Sequence, residues 1–152
     1  MDCCDSDQPD QFVSKTGLCS ECGNAGSSVS IRTLFHQVRA TELQRIIDQE
    51  YWFCSSDQCS VIYFGEDGIK FNEQDLRELT WVKNLAEKAR TVCHCFGYTA
   101  TDVLDPVSIK IGKVSESIHD YIRRGFCDCE IRNPSGKCCL SVIVSIEKGI
   151  PG

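Results

Sequence analysis

Twelve cysteines in 152 residues constrain this chain more than any other feature, because ten of them lie in close pairs. The pairs are Cys19/Cys22, Cys54/Cys59, Cys93/Cys95, Cys127/Cys129 and Cys138/Cys139. Close pairs suit metal chelation better than long-range disulfide cross-linking. The N-terminus, Met1-Asp2-Cys3-Cys4-Asp5, lacks the basic and apolar segments of a secretory signal. The sequence therefore predicts a cytoplasmic metalloprotein.

The charge distribution and hydropathy exclude several classes of function. The net charge is −6, and the sixteen basic residues are scattered, with only Arg123 and Arg124 adjacent. Nucleic-acid binding needs a basic stripe, which is missing. No apolar run approaches the roughly 20 residues of a membrane span. The sequence also lacks a phosphate loop and a nucleophile elbow, so an enzyme with an organic substrate is not expected.

The pattern of turns and apolar runs predicts an α+β fold with two lobes. Residues 1–15 are polar and are interpreted as a flexible tail. Residues 16–72 form a small β-rich lobe, and residues 91–152 form a mainly helical second lobe. Between them, residues 73–90 form a linking helix or a looser linker.

In the first lobe, two aromatic runs are predicted to be strands. Residues 51–53 and 61–64 are aromatic and β-branched, and the Cys54–Cys59 turn joins them. Residues 28–38 fit a strand imperfectly, and residues 41–49 allow a short helix. Within 73–90, apolar residues recur in steps of three, as in an amphipathic helix. They are Leu76, Leu79, Val82 and Leu85.

In the second lobe, Thr99 is predicted to cap a helix, with Asp102 three residues later. A second helix runs over residues 114–122, and Gly125 stands where a helix end is expected. Residues 140–146 are apolar and fit either a strand or a helix.

Two of the pairs supply the four thiolates that a structural zinc site needs. They are Cys19, Cys22, Cys54 and Cys59. Both pairs lie in polar turns, which argues against the alternative of buried free thiols. A rubredoxin-like iron site is chemically possible with the same ligands. His36 lies in an apolar run and is interpreted as a packed or surface histidine.

The remaining pairs are interpreted as the ligands of an iron–sulfur cluster. Such a cluster needs four thiolates on backbone that offers N–H donors to the sulfurs. Cys93-His94-Cys95 is predicted to lie at a helix N-terminus, whose dipole favours the cluster's negative charge. The turn at residues 133–136, Asn-Pro-Ser-Gly, is expected to play the same part for the later cysteines.

The order of these motifs resembles the CopZ-type copper chaperones that carry an extra N-terminal region. Cys-x-x-Cys is followed by Tyr-Trp-Phe-Cys-x4-Cys, then Cys-x-Cys, a two-helix spacer and Cys-Glu-Ile-Arg-Asn-Pro-Ser-Gly-Lys-Cys-Cys, over roughly residues 17–145. In that family the second domain is related to bacterioferritin-associated ferredoxin. The resemblance implies zinc on Cys19, Cys22, Cys54 and Cys59. It also implies a [2Fe–2S] cluster on Cys93, Cys95, Cys129 and Cys139, with Cys138 and Cys127 as alternative ligands.

The sequence departs from the family pattern at its end. The family continues into a copper-binding domain with a Met-x-Cys-x-x-Cys loop, whereas this sequence stops at Gly152 and contains only Met1. Vicinal Cys3 and Cys4 could capture a soft ion such as Cu(I), or be an exposed thiol pair without a role. His94 could tune the cluster or serve as a spacer.

We therefore expect an iron–sulfur electron-transfer protein that is associated with metal-ion handling. Reduction of Cu(II) to Cu(I) before thiolate capture is one possible task, because thiolates prefer Cu(I). The alternative is a soft-metal or cluster chaperone without a redox role, and a third hypothesis is a regulatory sensor. Either a metal ion or a metal-trafficking protein is the expected partner; the sequence does not identify the redox partner.

Overall fold

A computed structural model describes residues 17–78, 83–84 and 86–149 of the chain. It combines a four-stranded antiparallel sheet, a two-stranded sheet and several helices. The predicted α+β class is therefore confirmed. Two separate groups of buried apolar residues lie in the first half of the chain and a third lies in the second half.

The first half is built on a sheet with the strand order β1-β2-β3-β4. The strands are β1 (Ser27–Val29), β2 (Tyr51–Phe53), β3 (Val61–Gly65) and β4 (Lys70–Asn72). Both central strands are wholly buried because each face of the sheet is covered. Tyr51 and Phe53 point to the main apolar core, and Trp52 between them points to a second cluster that contains cysteines. The two predicted aromatic strands are thus present, and each serves two cores.

The segment predicted as an imperfect strand at 28–38 is mostly helical. After the short strand β1, helix α1 (Ile31–Gln37) begins where the Ser30 hydroxyl accepts a hydrogen bond from the amide of Thr33. Leu34 faces the core and is fully buried. The strand prediction was wrong because the capping serine and the buried Leu34 outweigh the β-branched residues. The helix predicted at 41–49 is a short 3-10 helix, Ala40–Arg45.

The link between the lobes begins with a short 3-10 turn. It spans Glu73–Asp75 and carries a capping box between Asn72 and Asp75. Leu76 then pairs with Val38 in an isolated bridge and is buried. Residues 83–84 and 86–90 are turns or irregular. Leu79, Val82 and Leu85, which belong to the predicted helical pattern, lie outside the described residues.

Apart from the 3-10 helix Pro106–Ile109, the second lobe combines a β-hairpin with four α-helices among the described residues. They are β5 (Thr91–Cys93), β6 (Tyr98–Thr99), α2 (Ala100–Leu104), α3 (Val114–Arg123), α4 (Cys129–Arg132) and α5 (Leu140–Glu147). The predicted cap is present, since Thr99 and Asp102 form a capping box. Gly125 adopts the left-handed conformation just after α3, at φ 79°. The apolar run at 140–146 is helical and packs on α2 and α3.

The two lobes share a polar seam between α1 and α4. Beside it, the hydroxyl of Tyr63 donates a hydrogen bond to the carbonyl of Pro134. Tyr63 is fully buried, and this burial raises the pKa of its hydroxyl. A strand of the first lobe therefore holds the turn that precedes the last cysteine pair.

Within the described residues, the longest helix is α3 with ten residues, and none has the length and apolar character needed to cross a membrane.

We expect Tyr63→Phe to destabilise the folded protein although it removes only one oxygen atom. The buried Pro134 carbonyl would lose its donor, which costs about 1–3 kcal/mol of unfolding free energy. Tyr51→Phe is the comparison, because its hydroxyl bonds only within the first lobe, to Ile47 and Gln49. Urea unfolding with hydrogen exchange would measure both variants. Only Tyr63→Phe should increase exchange in residues 133–139, and equal effects there would contradict the prediction.

Candidate metal centres

The four cysteines predicted to bind zinc lie together on one face of the first sheet. Sγ of Cys19 lies 3.8 Å from that of Cys59, and Sγ of Cys22 lies 3.7 Å from that of Cys54. All four sulfurs lie within 4.8 Å of one another. Thiolates at about 2.3 Å from a tetrahedral zinc are about 3.8 Å apart. The sulfur positions therefore match the edges of a zinc tetrahedron.

Two short turns aim these sulfurs at a common point. The amide of Gly23, in the left-handed conformation, donates to the Cys19 carbonyl at 2.7 Å, which closes the first turn. Backbone amides then donate to sulfur, from Asn24 to Cys22 and from Val61 to Cys59. Such N–H donors orient thiolate ligands and stabilise their charge.

The cluster changes the acidity of its thiols in opposite directions. The Asn24 amide lowers the pKa of Cys22 to about 7, because it stabilises the thiolate. Burial raises the pKa of Cys54 to about 12 and also raises the pKa of Cys59. The Cys22 thiol therefore ionises most readily of these three, whereas a cation would favour loss of the protons from Cys54 and Cys59.

Apolar rings and one lysine surround this first cluster. Trp52 stacks on Phe64 beneath it, and a Cβ at Gly26 would come within 2.7 Å of both side chains. The ammonium of Lys83 donates to the carbonyls of Cys54 and Ser56. Its charge also favours the thiolate of Cys54.

The second set of predicted ligands also converges, but over a wider span. Its members are Cys93, Cys95, Cys129 and Cys139. Sγ of Cys95 lies 3.4 Å from that of Cys129. Cys139 is hydrogen-bonded to both Cys93 and Cys129. Among the described residues, only the first cluster brings its ligand atoms within 4.8 Å of one another. In the second set, at least one pair of sulfurs is therefore more than 4.8 Å apart, although Cys95 and Cys129 are in contact.

Backbone amides point at the second set as they do at the first. The Asp128 amide donates to Sγ of Cys95 at 3.2 Å, and the Phe96 amide donates to Cys93. The Cys139 amide donates to Cys129. Iron–sulfur clusters are held by thiolates with N–H groups directed at the sulfurs.

The structural setting of Cys93 and Cys95 differs from the prediction. They lie at the end of β5 and in the tight turn of the β5–β6 hairpin, and the helix begins only at Ala100. The segment forms a hairpin, and not the start of a helix, because Gly97, at φ 79°, permits the tight turn. The cysteines at helix starts are instead Cys129, the first residue of α4, and Cys139, the N-cap of α5.

Contacts among the thiols shift the acidity of the second set in opposite directions. Hydrogen bonding with Cys139 and Cys95 lowers the pKa of Cys129 to about 3, and hydrogen bonding with Cys139 also lowers the pKa of Cys93. The same bonds raise the pKa of Cys95 and of Cys139. Burial lowers the pKa of His94 to about 4, which favours the neutral imidazole.

The alternative ligands have a different chemical state. Cys138 and Cys127 are disulfide-bonded, whereas the eight cysteines of the two sets are free thiols. Cys129 and Cys139 stay the predicted ligands. Cys3 and Cys4 lie outside the described residues. His36 is exposed and is not among the residues of the first cluster, as the sequence predicted.

Sequence reasoning missed the side chains that hold α4. The Thr33 hydroxyl donates to the Glu130 carbonyl at 2.5 Å. The Gln37 amide donates to the carbonyls of Ile131 and Arg132, at 2.8 and 3.0 Å. The only sequence indication was that both residues lie one turn apart on one face of α1. These bonds satisfy the C-terminal carbonyls of the helix that begins at Cys129.

Comparison with known proteins connects the first cluster to zinc. Residues 16–77 match a family model described as a zinc binding domain of the CopZ type. This match includes the four clustered cysteines and confirms the predicted zinc-binding region.

Two further comparisons, one with a sequence and one with a solved structure, extend the likeness beyond that region. The copper chaperone CopZ of Archaeoglobus fulgidus is 31% identical over 121 residues, which are 80% of this chain and 57% of that protein. The chain thus spans little more than half the length of this curated relative. The solved N-terminal domain of Archaeoglobus fulgidus CopZ superposes with a TM-score of 0.67 at 27% identity. It covers 90% of this chain and 100% of the solved domain. The relation to bacterioferritin-associated ferredoxin stays a prediction.

We expect Gln37→Leu to loosen the α1–α4 seam. Two hydrogen bonds to α4 carbonyls would be lost, at about 0.5–1.5 kcal/mol each. Hydrogen exchange should speed up at residues 129–133. Gln44→Leu is the matched control, because Gln44 bonds only to Thr41 in its own turn. Equal exchange at 129–133 in both variants would contradict a holding role for Gln37.

Proposed function

We propose that this chain is a one-electron carrier that serves copper handling. Zinc is its structural ion and a [2Fe–2S] cluster is its redox group. The observation that carries the proposal is the presence of two four-thiol sites of different span in one chain. The compact set suits one ion, and the wider set suits two irons.

In the proposal, zinc binds to Cys19, Cys22, Cys54 and Cys59. The sulfur spacings of 3.7 and 3.8 Å and the match to a zinc binding domain support this assignment. Zinc has no redox chemistry, so its part is to hold the first sheet together. Cys19 and Cys59 are 40 residues apart, and their joint ligation ties the N-terminal turn to β3.

The cluster ligands are Cys93, Cys95, Cys129 and Cys139. Four thiols with amide donors at their sulfurs fit a [2Fe–2S] cluster, which supplies one electron at a time when it is bound. Cys93, Cys129 and Cys139 are at most 4% exposed, whereas Cys95 is half-buried. The half-buried edge at Cys95 is where an electron would enter or leave.

The proposed task is reduction of Cu(II) before capture by thiolates. Each Cu(II) accepts one electron and becomes Cu(I), and an external one-electron donor, such as a reduced flavoprotein, restores the carrier. The similarity to a protein named a copper chaperone supports copper as the ion. Thiolates bind Cu(I) in preference to harder ions, so reduction and capture are coupled.

A second candidate is a carrier of soft metal or of the cluster itself, without a redox task. The half-buried Cys95 favours it, because an exposed ligand is open to exchange with an acceptor's thiols. Transfer of intact cluster to an acceptor lacking its cluster, with no reduction of Cu(II), would establish this candidate instead.

Metal analysis of protein purified without air tests the two ligand sets. We expect about one zinc, two irons and two sulfides per chain, the composition of a four-thiolate zinc site and a two-iron cluster. Cys22→Ser should lower zinc and spare iron, and Cys95→Ser should lower iron and sulfide and spare zinc. These two residues are the half-buried members of their sets, so they make a matched pair. Cys138→Ser should retain both metals.

Zinc without sulfide in the unmodified protein would contradict the redox proposal. Iron loss in Cys138→Ser with retention in Cys139→Ser would move the fourth ligand to Cys138.

The redox task is tested by adding Cu(II) to dithionite-reduced protein freed of excess reductant. The visible spectrum should return to the oxidised form with one Cu(I) formed per cluster, measured with a Cu(I)-specific chelator. Cys95→Ser is the control and should form no Cu(I) by this route. A reduced spectrum that persists in the presence of Cu(II) would refute copper reduction.

A further inference from the structure

A cavity of about 470 Å³ lies beside the second cysteine set, between the two lobes. α1 contributes His36 and Gln37, the segment after β4 contributes Arg77, and the β5–β6 hairpin contributes His94. Arg132 at the end of α4 completes the wall. The volume falls within the range of small-molecule sites, roughly 300–1,000 Å³.

The cavity wall carries positive charge on a protein whose net charge is −6. Arg77 and Arg132 both contribute to it, and neither has an acidic partner within 4.0 Å among the described residues. The arginines at 32, 45, 123 and 124 all form such pairs. Glu78 is the one carboxylate in the wall and forms no ion pair there within the described part of the chain. The wall therefore has an excess of cationic donors.

The two arginines come from different parts of the fold. Arg77 is held against α1, because its amide donates to the Gln37 carbonyl at 2.8 Å and its guanidinium to the His36 carbonyl at 3.0 Å. Arg132 ends the helix that starts at Cys129. Guanidinium groups bind carboxylate and phosphate oxygens through paired hydrogen bonds. A bound oxyanion would thus join the first lobe to the cluster-bearing helix.

The wall does not present a ready site for a bare metal ion. Two of the chain's three histidines line it together with Glu78. Nevertheless, the first cysteine cluster is the one group in the described residues whose ligand atoms approach within 4.8 Å. Two guanidinium groups would also repel a free cation. An anion is the better occupant.

From this wall we infer that the cavity is a binding site for a small oxyanion with several carboxylate or phosphate groups. The second part of the inference rests on the proposed function: Cu(II) arrives as an anionic chelate of such a ligand. His94, which lines the cavity, lies between the predicted ligands Cys93 and Cys95 in the chain. A reduced cluster on the predicted ligands would supply one electron to Cu(II), which would leave as Cu(I), and the oxyanion would be released unchanged.

Binding of the redox-inert anion tests the inference without any electron transfer. Isothermal titration of the oxidised, metal-loaded protein with citrate, and separately with inorganic phosphate, gives the two dissociation constants. Arg77→Gln and Arg132→Gln should each weaken binding by about tenfold or more, the effect of losing a charged hydrogen-bond donor. Glu78→Gln should tighten binding. Tighter binding of citrate than of phosphate would identify a polycarboxylate, and the reverse order a phosphate compound.

Arg39→Gln is the matched control. Arg39 is exposed, forms no ion pair within the described residues and does not line the cavity. This variant should bind the anion like the unmodified protein. Equal affinity of Arg39→Gln, Arg77→Gln and Arg132→Gln for citrate and for phosphate would overturn the inference, as would absence of binding to the unmodified protein.

Copper reduction provides the second arm of the test. Reduced protein should oxidise faster with Cu(II)–citrate than with a cationic Cu(II)–amine chelate, and Arg77→Gln should remove that preference. Equal rates with both chelates in the unmodified protein would contradict delivery as an anion. If neither chelate oxidises the protein, the redox proposal fails, while the titrations alone still decide whether the oxyanion site exists.

Discussion

Four thiolates in contact inside a protein are a costly arrangement unless a cation neutralises them, and this constraint governs the four-cysteine cluster of the first half and would govern the second cysteine set in the same way. Burial opposes the thiolate form at Cys54 and Cys59, and shared hydrogen bonds oppose it at Cys95 and Cys139. A metal ion reverses this balance, because it exchanges repulsion among thiolates for bonds to sulfur. The energy of metal binding is therefore part of the energy of folding.

The second constraint is the contact between the lobes. The zinc-binding region supplies Thr33, Gln37 and Tyr63, whose side chains donate to carbonyl groups in the segment between Cys129 and Cys139. These hydrogen bonds satisfy backbone carbonyl groups and thereby contribute to the specificity of the contact. The position of Cys129 consequently depends on residues almost one hundred positions earlier in the chain.

The sequence predicted what depends on local chemistry. The aromatic strands at residues 51–53 and 61–64, the cap at Thr99 and the four-cysteine group near β3 could be read from residue type and spacing. Helix α1 could not, because Ser30 and the burial of Leu34 outweigh a β-branched composition. The roles of Gln37 and Tyr63 depend on partners far away in sequence, and no periodicity indicates such partners. The arginine-lined cavity was missed for the same reason.

Helix α4 has only four residues, Cys129–Arg132, and so short a helix does not form by itself in water. Its carbonyls find their donors on α1, which belongs to the zinc-binding region. The N-terminal half is thus the template on which the later cysteines are arranged. If both cysteine sets bind metal as proposed, a shortage of zinc during biosynthesis would also impair loading of the second set.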